Sequence, residues 1–445
     1  MLTRACLSIL LLTSAFLWSQ VDSNGGENNA NPADEARMLV PPPVSGEAYP
    51  TAVDSEARSN YLRAGLTFNT AYADNVVGGA SANPVSDLSY SIWPTIALDQ
   101  TTSRLHSMLT YSPGFTFYQR TSARNEADQN VALDFQYRLS PHVTASLRDS
   151  FQKSSSVFNQ PDPLSAGAVP GSGQSSPVAV IAPVADRLNN TANAELTYQF
   201  SRNAMIGAAG TFTNLHYPNP AEVPGLHNSS SRGGSAFYSH RLSRKHYIGV
   251  TYQYSRILAY LVNAQSETQT HTLFLFYTIY LKPTLSLSLS GGPQHFDVAQ
   301  FPLPAFRSWS PAATASMGWQ GLHTNFAAGY SRIVTGGGGL LGAFHSNSAN
   351  ASARWQLART WTVGSAASYA IYKNVTPFFS LSSPGGHTVS GTVSVQHPIS
   401  QHFNAELGYT RLHQSYSGIA VISNAPDVNR EFVSVSYQFA RPLGR

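Results

Sequence analysis

One cysteine, Cys6, is all the 445-residue chain contains, and it lies within the first twenty residues. A chain trimmed of that segment has no thiol. This excludes a disulfide framework, a thiolate metal site and a cysteine nucleophile. Charge is also scarce. Asp, Glu, Lys and Arg make up 11% of the residues, against about 25% in ordinary globular proteins. Long apolar runs are missing too. After the first twenty residues nothing approaches the ~18 consecutive apolar positions of a spanning helix. An excess of one sign is likewise absent. The net charge is +4, and the 27 Lys and Arg are spread along the sequence. A nucleic-acid partner calls for a clustered basic face, and none is expected here.

The mean hydropathy is slightly negative, although the chain is poor in charge. Uncharged polar and small residues make up the difference, with aromatics at 11%. That balance suits a wall with one lipid face and one watery face.

The start, MLTRACLSILLLTSAFLWSQ, places Arg4 before an apolar core from Leu7 to Leu17. Residues 1–20 read as a cleaved secretory signal. Cys6 precedes the apolar core, so it does not fit a lipoprotein site. Residues 21–60 are acidic, polar and proline-rich, with three consecutive prolines in MLVPPPVSGEAYP. They cannot bury a core and read as a disordered periplasmic leader.

From Tyr61 onward one pattern persists. In VALDFQYRL, Val131, Leu133, Phe135, Tyr137 and Leu139 face one way, while Ala132, Asp134, Gln136 and Arg138 face the other. Leu285, Leu287 and Leu289 alternate with serines, and Val389, Val393 and Val395 alternate with Ser and Thr. This is the period of a strand. Connections alternate as well. Short ones such as LSPH (139–142), SRN (201–203), KPT (282–284) and ART (358–360) take turns with long ones at 75–86, 155–186, 218–231, 336–344 and 417–427. Short periplasmic turns and long outer loops are the layout of a transmembrane β-barrel.

The expected fold is all-β, a closed antiparallel transmembrane barrel over 61–440 with a short tail at 441–445. The segments number about 18, with 16 as the near alternative. A soluble β-sandwich would show the same alternation. Strand length, low surface charge and the loop rhythm argue for lipid. Tyr137, Phe200, Trp319, Trp355, Trp361 and Phe439 sit towards strand ends, where aromatic rings favour the water–lipid boundary. The polar face contributes the pore-lining candidates Arg63, Asp134, Arg138, Arg148, Glu195, Arg354 and Glu406.

The opening YLRAGLTFNTAYADNV, the following SDLSYSIWPTIAL and the terminal VSVSYQF carry a likeness. Over about 61–440 the chain resembles the β-barrel porin type of bacterial outer-membrane protein. The resemblance implies that Val433, Val435, Tyr437 and Phe439 form the signal read by the barrel-assembly machinery. It implies no catalytic residues.

Other chemistry finds little footing. The 14 His are dispersed, although His387, His397 and His402 lie in or beside one hairpin. No metal or cofactor is expected. No GxSxG nucleophile motif occurs. GGGGL at 336–340 lacks the Lys and Ser/Thr of a phosphate loop and reads as a flexible outer loop. Asp134, Glu195 and Glu406 fall on different strands, so a catalytic carboxylate pair is not expected. The insertion 155–186 is Pro/Gly-rich and low in charge, and it is a candidate to fold inward and narrow the pore.

The expected function is a passive channel for small solutes, because a barrel of ~16–18 strands leaves an aqueous lumen. Outer-membrane lipid and small solutes are the expected partners, and a homotrimer is common in this size class. Two other readings stay open: an accessory barrel of an envelope or polysaccharide-export system, and a structural or adhesive surface protein.

Overall fold

The computed structural model describes residues 59–76, 84–102, 104–155, 185–260, 265–282, 284–300, 304–336, 340–375, 385–417 and 427–443. All of them fall in the compact unit Met38–Arg445. They form strands β1 (Ser59–Ala73), β2 (Asp87–Thr101), β3 (Leu105–Tyr118), β4 (Glu126–Ser140), β5 (Val143–Ser154), β6 (Arg187–Ser201), β7 (Ala204–His216), β8 (Asn228–Arg241) and β9 (His246–Tyr260). The second half follows as β10 (Gln265–Lys282), β11 (Leu285–Gln300), β12 (Phe306–Gln320), β13 (Thr324–Thr335), β14 (Phe344–Gln356), β15 (Thr362–Asn374), β16 (Gly385–Pro398), β17 (Phe403–Ser417) and β18 (Val428–Pro442). Single 3-10 turns occur at Ser122–Arg124 and Pro220–Glu222.

The eighteen strands make one antiparallel sheet, and β1 pairs with both β2 and β18. The sheet therefore closes on itself and leaves no edge, as hydrocarbon demands of backbone amides. The wall begins at Ser59 and runs through Arg441, which pairs with Leu62. Residues read as tail thus extend the last strand.

Alternation sorts the side chains. Leu66, Phe68, Ile96, Leu109, Leu196, Leu275, Leu289, Val393, Leu407 and Val433 are large, apolar and exposed on the outer face. They are the band that lipid covers. Near the short turns the outer face carries rings. Tyr198 and Phe200 lie beside Tyr238, Trp361 stacks on His397 at 4.4 Å, and Phe403 meets Tyr437 at 4.9 Å. Trp319 and Trp355 are exposed at the same end. This is the aromatic girdle that marks one membrane boundary.

The inner face uses a second device. A Cβ on Gly114 would stand 2.3 Å from the ring of Trp93, and one on Gly408 would stand 2.2 Å from Phe432. Each inward ring lies over a glycine of an adjacent strand. Such aromatic cover pins register where glycine offers no side chain of its own.

Candidate functional site, a polar lumen capped at its outer end

Register places Arg63, Asp134, Arg138, Arg148, Glu195, Arg354 and Glu406 on the inner face. They do not form one cluster. Asp134 and Arg148 face each other across β4 and β5, with N–O 3.4 Å and side chains 44% and 61% exposed. Glu195 on β6 pairs with Ser146, two residues from Arg148 on the same inner face. These three make one charged patch. Arg63 donates to Asp99 at 2.6 Å, while its own side chain stays 53% exposed. Arg354 stands apart on β14. Glu406 is buried between Gln396 and Ser434 in the wall. Around these charges the inner face is mostly hydroxyl and amide. At mid-height it carries Ser112, Thr251, Thr272, Ser290 and Ser316, with the buried rings of Trp93, Phe274 and Phe276 packed among them.

The outer end of the lumen is different. Leu215 and Tyr217, at and just past the end of β7, join Val223 and Leu226 from the following connection. They pack against Leu340 and Phe344, before and at the start of β14, and against Tyr416 of β17, with Tyr372 of β15 alongside. In the ring order β7 lies opposite β16. One apolar cluster therefore reaches across the barrel. Leu340 is 1% exposed.

Local chemistry explains how the two segments get there. The β7–β8 connection is held compact by Val223 N donating to Pro220 O and Leu226 N donating to Val223 O. Gly225 takes φ 95°, and Gly342 takes φ 97° in the second segment. Both turns need the left-handed region that favours glycine. Tyr217 N donates to Asn228 Oδ1 at 2.7 Å. Burial pushes the Tyr217 phenol up to about 12.

The wall itself bends to bring in the second segment. β12 pairs with β13 only from Ala313 downwards, although β12 starts at Phe306 and β13 runs to Thr335. Above that point the Gln294 side chain takes over. It accepts from Val334 N at 2.7 Å and donates to Val334 O at 3.0 Å. A second apolar group of Phe296, Val298, Val334 and Ala343 forms there.

One expectation is sharpened: of the glycine run at 336–340, read as a flexible outer loop, residues 337–339 lie outside the described residues, while Gly336 leaves no room for a side chain beside Ile257 and Leu340 is in the cap. The reason is the apolar LLGAF that follows, which buries its side chains rather than meeting water. The insertion proposed to narrow the lumen lies, over 156–184, outside the described residues. Narrowing by the β7–β8 connection was not foreseen. The apolar Tyr217, Val223 and Leu226 within a polar, proline-rich stretch were the available signal.

The three histidines of one hairpin do not converge. His397 stacks on Trp361, and His402 Nδ1 lies 3.0 Å from Gln438 O. His387 instead meets His413 of β17, Nε2 to Nε2 3.2 Å, on the outer face. His413 in turn bonds Asp427 at 2.6 Å, and Arg411 pairs with the same carboxylate. These bonds, His413 first, hold the Asp427 carboxyl below its usual range. Among the described residues no group of three His, Cys, Asp or Glu is arranged to hold a metal.

The closed wall, with its lipid band and polar interior, defines a transmembrane β-barrel of the outer-membrane type. No family model and no curated protein matches the sequence. Solved barrels overlap loosely. The structure of Pseudomonas aeruginosa OpdK with vanillate gives a TM-score of 0.39 at 10% identity, over 85% of this chain and 99% of that one. Acinetobacter baumannii OccAB4 gives 0.40 at 9%, over 87% and 100%. The open form of Fiu, the ferric-catecholate import receptor of E. coli K12, gives 0.42 at 9%, over 86% and 82%. Overlaps this loose carry neither a solute nor a role across.

Proposed function

We propose that this protein is a diffusion channel for small solutes in the outer membrane, closed at its outer end while the cap is docked. The observation that carries the reading is the exposed Asp134–Arg148 pair on the inner wall. Charged groups inside a barrel belong to a water-filled lumen. Charges there set ion preference through the field across a narrow section. The channel has no catalytic role. Residues 1–20 act as the export signal and 21–58, up to the start of β1, as the leader. Val433, Val435, Tyr437 and Phe439, all on the outer face of β18, present an alternating apolar edge to the barrel-assembly machinery.

The apolar cap favours a second reading, a barrel shut at rest that opens only with a partner, as in an envelope or polysaccharide-export system. Planar-bilayer recording of the refolded mature protein separates the two. The channel reading expects ohmic steps whose ion selectivity shifts in Arg148→Ala. A folded barrel that never conducts, even with the cap undocked by Phe344→Asp, refutes it.

A further inference from the structure

The outer wall is not uniform. Over β1–β5, β9–β11, β17 and β18 its mid-height positions are mainly Leu, Val, Ile, Phe or Tyr, and a run of small residues at Ala315, Ala328, Ala351, Ala367 and Gly391 crosses β12–β16. Across β6, β7 and β8 the same positions are Ala192, Ala194, Ala208, Gly210, Gly234 and Ala236, and here a pair of opposite charges stands at the two flanks. A Cβ built on Gly210 meets nothing within 4 Å, and one on Gly234 meets only a backbone oxygen at 3.7 Å. The floor of this stretch opens outward.

Two charges of opposite sign flank it. Asp149 lies on β5 between the outward Leu147 and Phe151, and its carboxylate accepts from Asn190 Nδ2 at 3.1 Å. Arg232 lies exposed on β8. One register row joins them, running Asp149, Ala192, Phe212, Arg232. Charge on the lipid face is most costly near the membrane midplane. A floor of small residues also gives acyl chains little to pack against, but it lets two protein walls approach closely.

Copies of one chain share one orientation in a membrane, so a two-fold axis between them runs along the membrane normal. Under that symmetry the left flank of one copy meets the right flank of the other. The interface is isologous and self-complementary. We propose that the β5–β8 face binds a second copy of this chain, with Asp149 of each copy paired to Arg232 of the other over the Ala/Gly floor. Strand tilt sets Arg232 nearer the outer end, and its long side chain covers that offset. The arrangement closes a pair, whereas the size of the chain suggested a trimer.

The absence of cysteine beyond Cys6 makes the test clean. In a Cys6→Ser background, Gly210→Cys is treated in native membranes with a short bis-thiol cross-linker. The open space at Gly210 tolerates the new side chain. The expected product has twice the monomer mass, while Leu407→Cys, outward on β17 and far round the ring from β5–β8, stays monomeric. Asp149→Arg and Arg232→Asp are each expected to lower the yield several-fold, and the double exchange to restore it. Heat-modifiable gel migration shows which variants hold a folded barrel. If a reversal does not fold, Asp149→Asn takes its place with the same expected loss. A folded Gly210→Cys barrel that stays monomeric, links no better than Leu407→Cys, links at trimer mass or links to another protein overturns the proposal. So does a yield indifferent to charge reversal.

Discussion

The lumen at mid-height and the lumen at its outer end are built by the same alternation and come out opposite. At mid-height the inward positions include Asp134, Arg148, Thr251 and Ser290 beside a few wall-packed rings such as Trp93, and the charged ones are well exposed. At the outer end the inward positions of β7, β14, β15 and β17 are Leu215, Phe344, Tyr372 and Tyr416, all drawn into one apolar cluster. A strand has no preference about which face is polar. The same inward parity makes a polar wall where its residues are hydrophilic and packs against other segments where they are not. The contrast teaches that a barrel of this width is closed by the last few residues of its strands, with two short segments laid between them.

The sharpest way to break the contrast is to make the outer end polar. Phe344→Asp places a carboxylate in an apolar cluster, which is costly without a partner. The cap is expected to undock while the barrel stays folded. Single-channel conductance should then rise several-fold, with gel migration of the folded form unchanged. Phe344→Ala acts on the same contact more mildly. Loss of a buried phenyl weakens packing by about 3 kcal/mol, enough to raise the open fraction without a polar group.

A second change strikes the body and spares the cap. Gly114→Val forces a side chain into the space of the Trp93 ring. Overpacking of this kind costs about 1–3 kcal/mol. The urea midpoint of unfolding should fall. A third change keeps both regions and alters only the field. Arg148→Glu sets a second negative charge beside Asp134, and the cap-opened channel should move towards cation preference in its reversal potential.

The smallest effect concerns His227, at the end of the β7–β8 cap segment. Burial lowers its pKa below the usual value. The neutral ring is therefore the docked form. Docking is fully supported above the ordinary histidine range and is lost as pH falls through the lowered value. Open probability should rise modestly on acidification. His227→Gln should remove that dependence.

Much of the wall was readable in the sequence. Eighteen strands and the inward side of Asp134 or Arg354 follow from a period of two, which needs no knowledge of neighbours. Pairing was harder. That Asp134 meets Arg148 depends on the register of two strands, and that Arg63 meets Asp99 depends on a diagonal reach. The His387–His413–Asp427 group joins three strands' ends and left no local mark. The cap was misread for another reason. Glycine and proline announce a loop but not its destination, and only the apolar residues beside them, LLGAF and Val223 with Leu226, point inward.

In the proposed channel the cap divides a wet lumen from the outside. Ala132 lies on the inner wall at mid-height, exposed, opposite Thr110 and Ser150. In the Cys6→Ser background, Ala132→Cys on intact cells is treated with a charged, membrane-impermeant maleimide. Little labelling is expected from outside, full labelling once the envelope is opened to the periplasmic side, and full labelling from outside when Phe344→Asp is added. Rapid labelling from outside with the cap intact would contradict it.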